Sequence, residues 1–576
     1  MLPDTVGWIE LRGPLRDGPI RQAWLSEDEV EIALQTILDQ LAAVRDGDQY
    51  LGVVLYLDQP SMTATQVDAI YHAMREVRDA QKTVVTFSQA YTTREYVLAS
   101  AGDLIVLQHK GEVALEGLHI EEMYLRGLLD KLGVQPQMIQ VGRYKGASEQ
   151  MTRTGPSDSW SKNMDGLLDD MYAVLIERIG QGRGLDRGQV EAIMADSWTL
   201  SDQDLLRRGI VDRLAGRDLI NVTEIEFGDD FVWDVDMGHI PAGPAVVAGD
   251  NPVSMLGALL SSPGTTTSGP TIAVLHLNGA IVSGDSAFGG GMFGGETIGS
   301  RTVELFLDEA LYDDNIKGVV IRIDSPGGSA LASEIMWQSI REFGESKPIY
   351  CSVGGMAASG GYYIASACDE IYVEPRSILG SIGVVAGKIN LKGLYDLVGI
   401  SVHTRSRGPN ADLLSSVTNF TDEEREKLTA SMTLVYQQFR DRVATGRGAR
   451  LKDLDAVDEG MLFTGRQCVQ SGMADKLGGT DDAVADMARQ LGLESGDYDI
   501  LQLPPPISLA DYLATMLEGP GLPFGLQSPE SAGLLAATRA LVGPQAWQQL
   551  TRALTGISLL REEQNLLLMP QVIVVK

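Results

Sequence analysis

The chain has 576 residues, 44% of them hydrophobic, too many for a single core, and its length sets an expectation of about three to four domains. Its 78 acidic against 46 basic residues give a formal net charge of −32, a surface that repels phosphate backbones and excludes nucleic acid as a partner. Cys351, Cys368 and Cys468 show neither Cys-x-x-Cys spacing nor an even count, which argues against a disulfide framework or a zinc site.

In chain order, the opening stretch MLPDTVGWIELRGPLRDG meets acid and base before any apolar core develops, so no signal peptide is expected. The run LGVVLYLD ending at Asp58 reads as a strand covered on both faces. Val67, Ile70, Met74 and Val77 then fall on one helical stripe, and KTVVTFS forms the next strand. Residues 217–270 read as a connector, rich in Asp, Gly, Pro, Ser and Thr toward its end. Its long uncharged stretch after Asp250 is too broken for a spanning helix, so the chain is expected to be soluble, cytoplasmic or peripherally membrane-associated. Beyond it, GVVIRI, a helix with Ile335, Met336, Ile340 and Phe343 on one face, and KPIYCSV repeat the pattern of strand, helix and strand. The tail after about residue 496 carries short apolar helical patterns such as LADYLATML, expected to pack on the preceding units or on a neighbouring subunit.

These echoes are an internal repeat. IELRGPL around Gly13 matches LHLNGAI around Gly279, LGVVLYLD matches KGVVIRID, and YVLASAGD ending at Asp103 matches YYIASACD ending at Asp369, all offset by 266 residues. Further on, LLRRGIVDRLAG pairs with CVQSGMADKLGG at an offset of 263. The sequence predicts two tandem α/β repeats, each a parallel sheet with right-handed helical crossovers, spanning 1–216 and 271–495.

The copies differ in a telling place. DSPGGSA in the second stands where the first has DQPSMTA, so Gly327 and Gly328 are replaced by Ser61 and Met62; Ser359 aligns with Thr93 and Gly360 with Arg94. Glycines needed only for turning would be kept in both. In the second copy a Gly-Gly turn lets backbone N–H groups approach a ligand closely. Ser359, set among small neighbours in GMAASGGYYIA before a helical run, is a candidate nucleophile whose neighbouring N–H groups face a developing oxyanion. A serine hydroxyl needs a base. His403 in GISVHTRSRGP is one candidate, without recognisable triad context. Lys145 in QVGRYKGASEQ, where the second copy offers no lysine, is the better one, provided burial lowers its pKa. The site would then be shared between the copies. The glycine run FGGGMFGG at 288–295 lacks the Gly-Lys-Ser/Thr ending of a phosphate loop and reads as a loop near a cavity mouth.

Together DSPGGS, GMAASGGYYIA, GSIGVV and GRYKGASE resemble the signal peptide peptidase A family in its long form of two fused repeats. The resemblance implies a fold like that of Clp protease and crotonase, and a Ser/Lys dyad with Ser359 as nucleophile and Lys145 as general base. It further implies that Ser381 positions the lysine and that Gly328 and Gly360 supply oxyanion N–H groups, with no cofactor and no metal. Its implied substrates are unfolded apolar peptides such as cleaved signal peptides, and its implied assembly is a homotetramer around an enclosed cavity. Members of that family commonly carry an N-terminal membrane anchor, and none is expected here from the opening residues. Two rival readings use the same architecture: a crotonase-like acyl-CoA enzyme, which needs neither Lys145 nor Ser359, and a non-catalytic scaffold.

Overall fold

The computed structural model describes residues 4–18, 32–216, 219–235, 237, 269–286, 296–494 and 496–503, and the short strands Leu566–Leu568 and Val574–Val575. The glycine run at 288–295, most of the expected connector and the helical patterns of the tail lie outside the described residues.

The repeat is written into two sheets. In the first, Thr5–Arg16, Tyr50–Ser61, Thr83–Thr92, Leu104–Ala114 and Arg213–Ala215 lie side by side and parallel. In the second, Thr271–Asn278, Ile316–Ser325, Ile349–Ala358, Glu370–Val373 and Lys476–Leu477 repeat that order. The register repeats too: Trp8 pairs with Val54 as Val274 pairs with Val320. These strands are apolar on both faces because helices cover both sides. Val67, Ile70, Met74 and Val77 are all buried in the first unit. In the second, Met336, Trp337, Ile340 and Phe343 form the buried face. Ile335 is only half-buried, one position off that stripe, and the larger Trp337 takes the place expected for it.

Both units run past the boundaries expected at 216 and 495. Ile220–Phe227 is a helix and Val232–Asp234 a strand that extends the first sheet beside Thr5–Gly7. Asp499–Leu503 extends the second in the same way beside Thr271–Leu275. The residues expected as connector thus begin as a helix and a closing strand of the first unit. The Asp and Gly richness that suggested a linker lies around this short strand, whose own VWD is too brief for a periodicity signal.

A third sheet joins the halves. Gln135–Val141 of the first half pairs antiparallel with Val384–Asn390 of the second over seven residue pairs. Around it, Trp160, Met164, Leu167 and Met171 on the helix Asp158–Arg183 share a core with Ala358, Ile378 and Leu462. The polar contacts are equally internal. Arg376 donates two hydrogen bonds of 2.9 Å to the Asp68 carboxylate, and Asn163 exchanges two bonds with the Leu462 backbone. Breaking a buried pair such as Asp68–Arg376 typically costs about 3–5 kcal/mol, so the halves are locked in one geometry. Among the described residues, no helix is long and apolar enough to cross a membrane.

Candidate active site

Ser359 sits at the end of the strand Ile349–Ala358 and immediately before the helix Gly360–Ala365. Its φ of 55° lies where non-glycine residues are rarely found, a strain of about 1–3 kcal/mol that the surrounding structure must hold in place. The Ser359 N–H donates to Gly380 O at 2.7 Å and its carbonyl accepts from Tyr363 N at 2.8 Å, which pins both sides of the turn. Thr93, its counterpart in the first half, has no such positive φ and is the first residue of its helix.

Lys145 arrives from the other half. The strand Gln135–Val141 delivers it, and the following turn is tied to the second half by Tyr144 N donating to Glu459 O at 2.8 Å. Gly460 makes this approach possible, since a Cβ there would stand 2.6 Å from Lys145 N. Lys145 is fully buried. Its Nζ lies 2.5 Å from Ser359 Oγ, 2.8 Å from Ser381 O and 3.0 Å from Ser381 Oγ. No carboxylate pairs with it among the described residues, and burial alone holds the amine well below the ordinary lysine pKa. A neutral amine has two N–H groups and one lone pair. With the N–H groups on Ser381 O and Oγ, the lone pair faces the Ser359 hydroxyl and can accept its proton.

Gly360, the residue after Ser359, packs against the backbone of Gly328. An added Cβ at Gly360 would meet Gly328 N at 3.2 Å and Ser333 Oγ at 2.6 Å, so the Gly360 turn and the Gly327–Ser329 strand are packed together with no room for a side chain. The first N–H groups of the helix have no intrahelical partner and are available to a ligand. In the first half the equivalent space is filled: Arg94, aligned with Gly360, donates from Nη1 to the carbonyl of Met62, aligned with Gly328, at 2.8 Å.

The structure therefore brings Ser359, Lys145, Ser381, Gly328 and Gly360 into one region. It does not bring His403 there. That residue lies in an exposed irregular segment, and Ser359 Oγ has the lysine amine as its neighbour. Sequence reasoning passed over Ser333, Glu459 and Gly460, which shape the turns around the glycines and the lysine. The Glu-Gly pair in DEGMLF, with positive φ at both residues, was the available signal.

The chain matches the model of peptidase family S49 in two segments, residues 76–225 and 341–494, one in each half. A chloroplastic serine protease SPPA of Arabidopsis thaliana is 28% identical over 75% of this chain and 62% of its own length. Protease 4 of Salmonella typhi is 29% identical over 83% of this chain and 75% of its own length. A mutant ClpP1 from Listeria monocytogenes superposes on 37% of this chain and 94% of its own at 12% identity and a TM-score of 0.24. With more than half of its length matched, in both repeats, the chain belongs to peptidase family S49 and is a serine peptidase of that family.

Proposed function

We propose that the chain is an endopeptidase that cleaves unfolded apolar peptides, such as signal peptide remnants, with Ser359 as nucleophile and Lys145 as general base. The observation that carries this reading is a buried, uncompensated amine 2.5 Å from the hydroxyl of a strained serine. Ser359 Oγ bonds to the scissile carbonyl carbon as its proton passes to Lys145 Nζ. The oxyanion is held by the Gly328 and Gly360 N–H groups, each worth about 3–4 kcal/mol in the transition state. The C–N bond then breaks, with the proton on Nζ going to the departing amine. A water gives its proton to Nζ, attacks the acyl-enzyme and releases the acid, leaving Ser359 protonated again. Ser381 acts as a positioning residue, accepting from the two N–H groups so that the lone pair points at Ser359.

The substrate would bind extended, as peptides do when they add to a sheet. A homotetramer enclosing the sites would keep folded proteins out, and association with a membrane surface would bring the chain to its substrates. A crotonase-like reaction would leave the buried amine without a purpose. The test is labelling by a serine-directed phosphonate together with turnover of an apolar peptide. Both should vanish in Ser359→Ala, and persistence of turnover in that variant would end the proposal.

A further inference from the structure

A second concave site lies where the halves meet. The helices Leu34–Asp46 and Ala64–Asp79 of the first half and residues 477–482 of the second wall a cavity of about 280 Å³. None of Ser359, Lys145, Ser381, Gly328 or Gly360 lines it. Its floor carries Glu374, only 5% exposed, and its mouth carries Asp481, which is exposed. Leu38 and Ala73, both half-buried, add apolar wall from the two helices.

The basic groups of this wall are already committed. Arg322 donates to the Asp17 carboxylate at 3.0 Å, to Ser352 Oγ at 2.8 Å and to Val353 O at 3.0 Å. Arg178 lies 3.7 Å from the Asp68 carboxylate and over the Tyr71 ring. The acidic groups are not matched in return. Among the described residues the Glu374 carboxylate has neither a hydrogen bond nor an ion pair, and Asp481 has only the neutral Gln35 amide, donating at 3.1 Å. A buried carboxylate without a partner is costly to ionise. Burial, reinforced by Asp68, pushes the Glu374 pKa up to about 8, so near neutral pH the group keeps a proton until a cation takes its place. An anion does not suit the cavity, because at the start of the helix Thr480–Leu491 the Gly479 N–H is already taken by Asp482 at 2.8 Å.

We propose that this cavity binds a short aliphatic diamine, with one ammonium on the Glu374 carboxylate, the methylenes against Leu38 and Ala73, and the second ammonium at Asp481. An ammonium brings three N–H donors to a carboxylate that accepts from nothing else, and the apolar wall takes the methylenes out of water. Among the described residues no three His, Cys, Asp or Glu side chains are grouped to hold a metal ion, so the cation is an organic one. Such a ligand touches both halves and binds only the folded chain, so it stabilises the boundary between them. The site stands independently of the reading of Ser359 as nucleophile.

The test uses the full chain at neutral pH, titrated with putrescine in a calorimeter and melted in its presence, with butylamine, butanediol and sodium chloride of matched ionic strength as controls. Putrescine should bind saturably and raise Tm, butylamine should bind about tenfold more weakly, and butanediol and matched salt should do neither. Glu374→Gln should weaken putrescine about 10–100-fold, the factor that goes with one charged hydrogen bond. Asp481→Asn changes an exposed side chain at the mouth, so it tests the second ammonium without burdening the fold. It should bring putrescine down to the affinity of butylamine and leave butylamine itself unchanged. Circular dichroism confirms that each variant is folded. A Tm rise no greater than that in matched salt, or the absence of a saturable heat, would overturn the site, as would unchanged putrescine affinity in folded Glu374→Gln. Equal affinity for putrescine and butylamine in the parent, or unchanged putrescine affinity in Asp481→Asn, would overturn the two-ended ligand.

Discussion

Lys145 and Ser359 are 214 positions apart in the chain and 2.5 Å apart in the fold, with one contributed by each half. Neither half could hold this contact alone. The first half supplies the amine, and its own counterpart of the serine turn is closed by Arg94 reaching Met62. The two halves meet through a shared sheet and a buried ion pair, Asp68 with Arg376.

The amine's burial makes Lys145→Met informative in two directions. Losing the base should lower kcat/KM by at least about 10²–10⁴. Stability should move the other way. The folded-state pKa lies below the ordinary value of 10.5, so between the two the unfolded chain binds the extra proton and parent stability rises with pH. Below that window the whole cost of burying the amine remains, and methionine removes it. Thermal melts across pH should show a higher Tm for the variant, with the excess shrinking toward pH 10.5. A lower Tm at every pH would mean that the amine is well solvated or paired. In the parent, kcat/KM should fall as pH drops through the lowered lysine pKa.

Gly360→Ala tests the crowding at the backbone donors. The methyl group would press on Ser333 Oγ at 2.6 Å and on Gly328 N at 3.2 Å. The first is the end of a side chain and can be relieved; the second is backbone. Adding Ser333→Ala should therefore recover thermal stability lost in Gly360→Ala but not activity, which should remain down by about 10²–10³ in kcat. Full recovery of kcat in the double variant would show that Gly328 N–H is not used.

What the sequence displayed and what it concealed divide along a physical line. The strands of the two main sheets were visible because burial on both faces leaves continuous apolar runs, and the fixed offset of 266 tied Trp8 to Val274 and Val54 to Val320 before any contact was known. The third sheet was hidden. Gln135–Val141 reads QPQMIQV, and its partners Val384–Asn390 and Leu566–Leu568 lie far away in sequence, so no local period announces the pairing. The positive φ of Ser359 was equally silent; only the small residues around it hinted at a tight turn. Lys145 became legible through contrast between the copies and through the family motif, since a lone lysine between Tyr144 and Gly146 has no period to mark it as buried.

Ser381→Ala separates positioning from bulk structure. The Oγ at 3.0 Å accepts from Lys145 Nζ, while the Ser381 carbonyl at 2.8 Å remains in the variant. Losing one bond of about 1.4 kcal/mol should lower kcat/KM about tenfold. An acceptor favours the charged amine, so its removal should also shift the acid limb of the pH profile to lower pH. A purely structural role would lower activity without moving that limb.

Glu374 provides a test of the boundary between the halves that does not touch the chemistry. Burial, reinforced by the Asp68 carboxylate, pushes its pKa up to about 8 from an ordinary 4.5. Between those values the folded state holds a proton that the unfolded chain has lost, so this group's contribution to stability is complete below pH 4.5 and disappears as pH rises through 8. Glu374→Gln keeps the shape and removes the titration. The difference in Tm between variant and parent should grow from pH 4.5 to 8 and then level off, with the variant the more stable at the alkaline end. Asp324 and Asp481, each raised to about 6 mainly by burial, act in the same sense but only up to that pH, and they cancel in the difference. A difference curve that is flat from pH 4.5 to 8 would place Glu374 in contact with water.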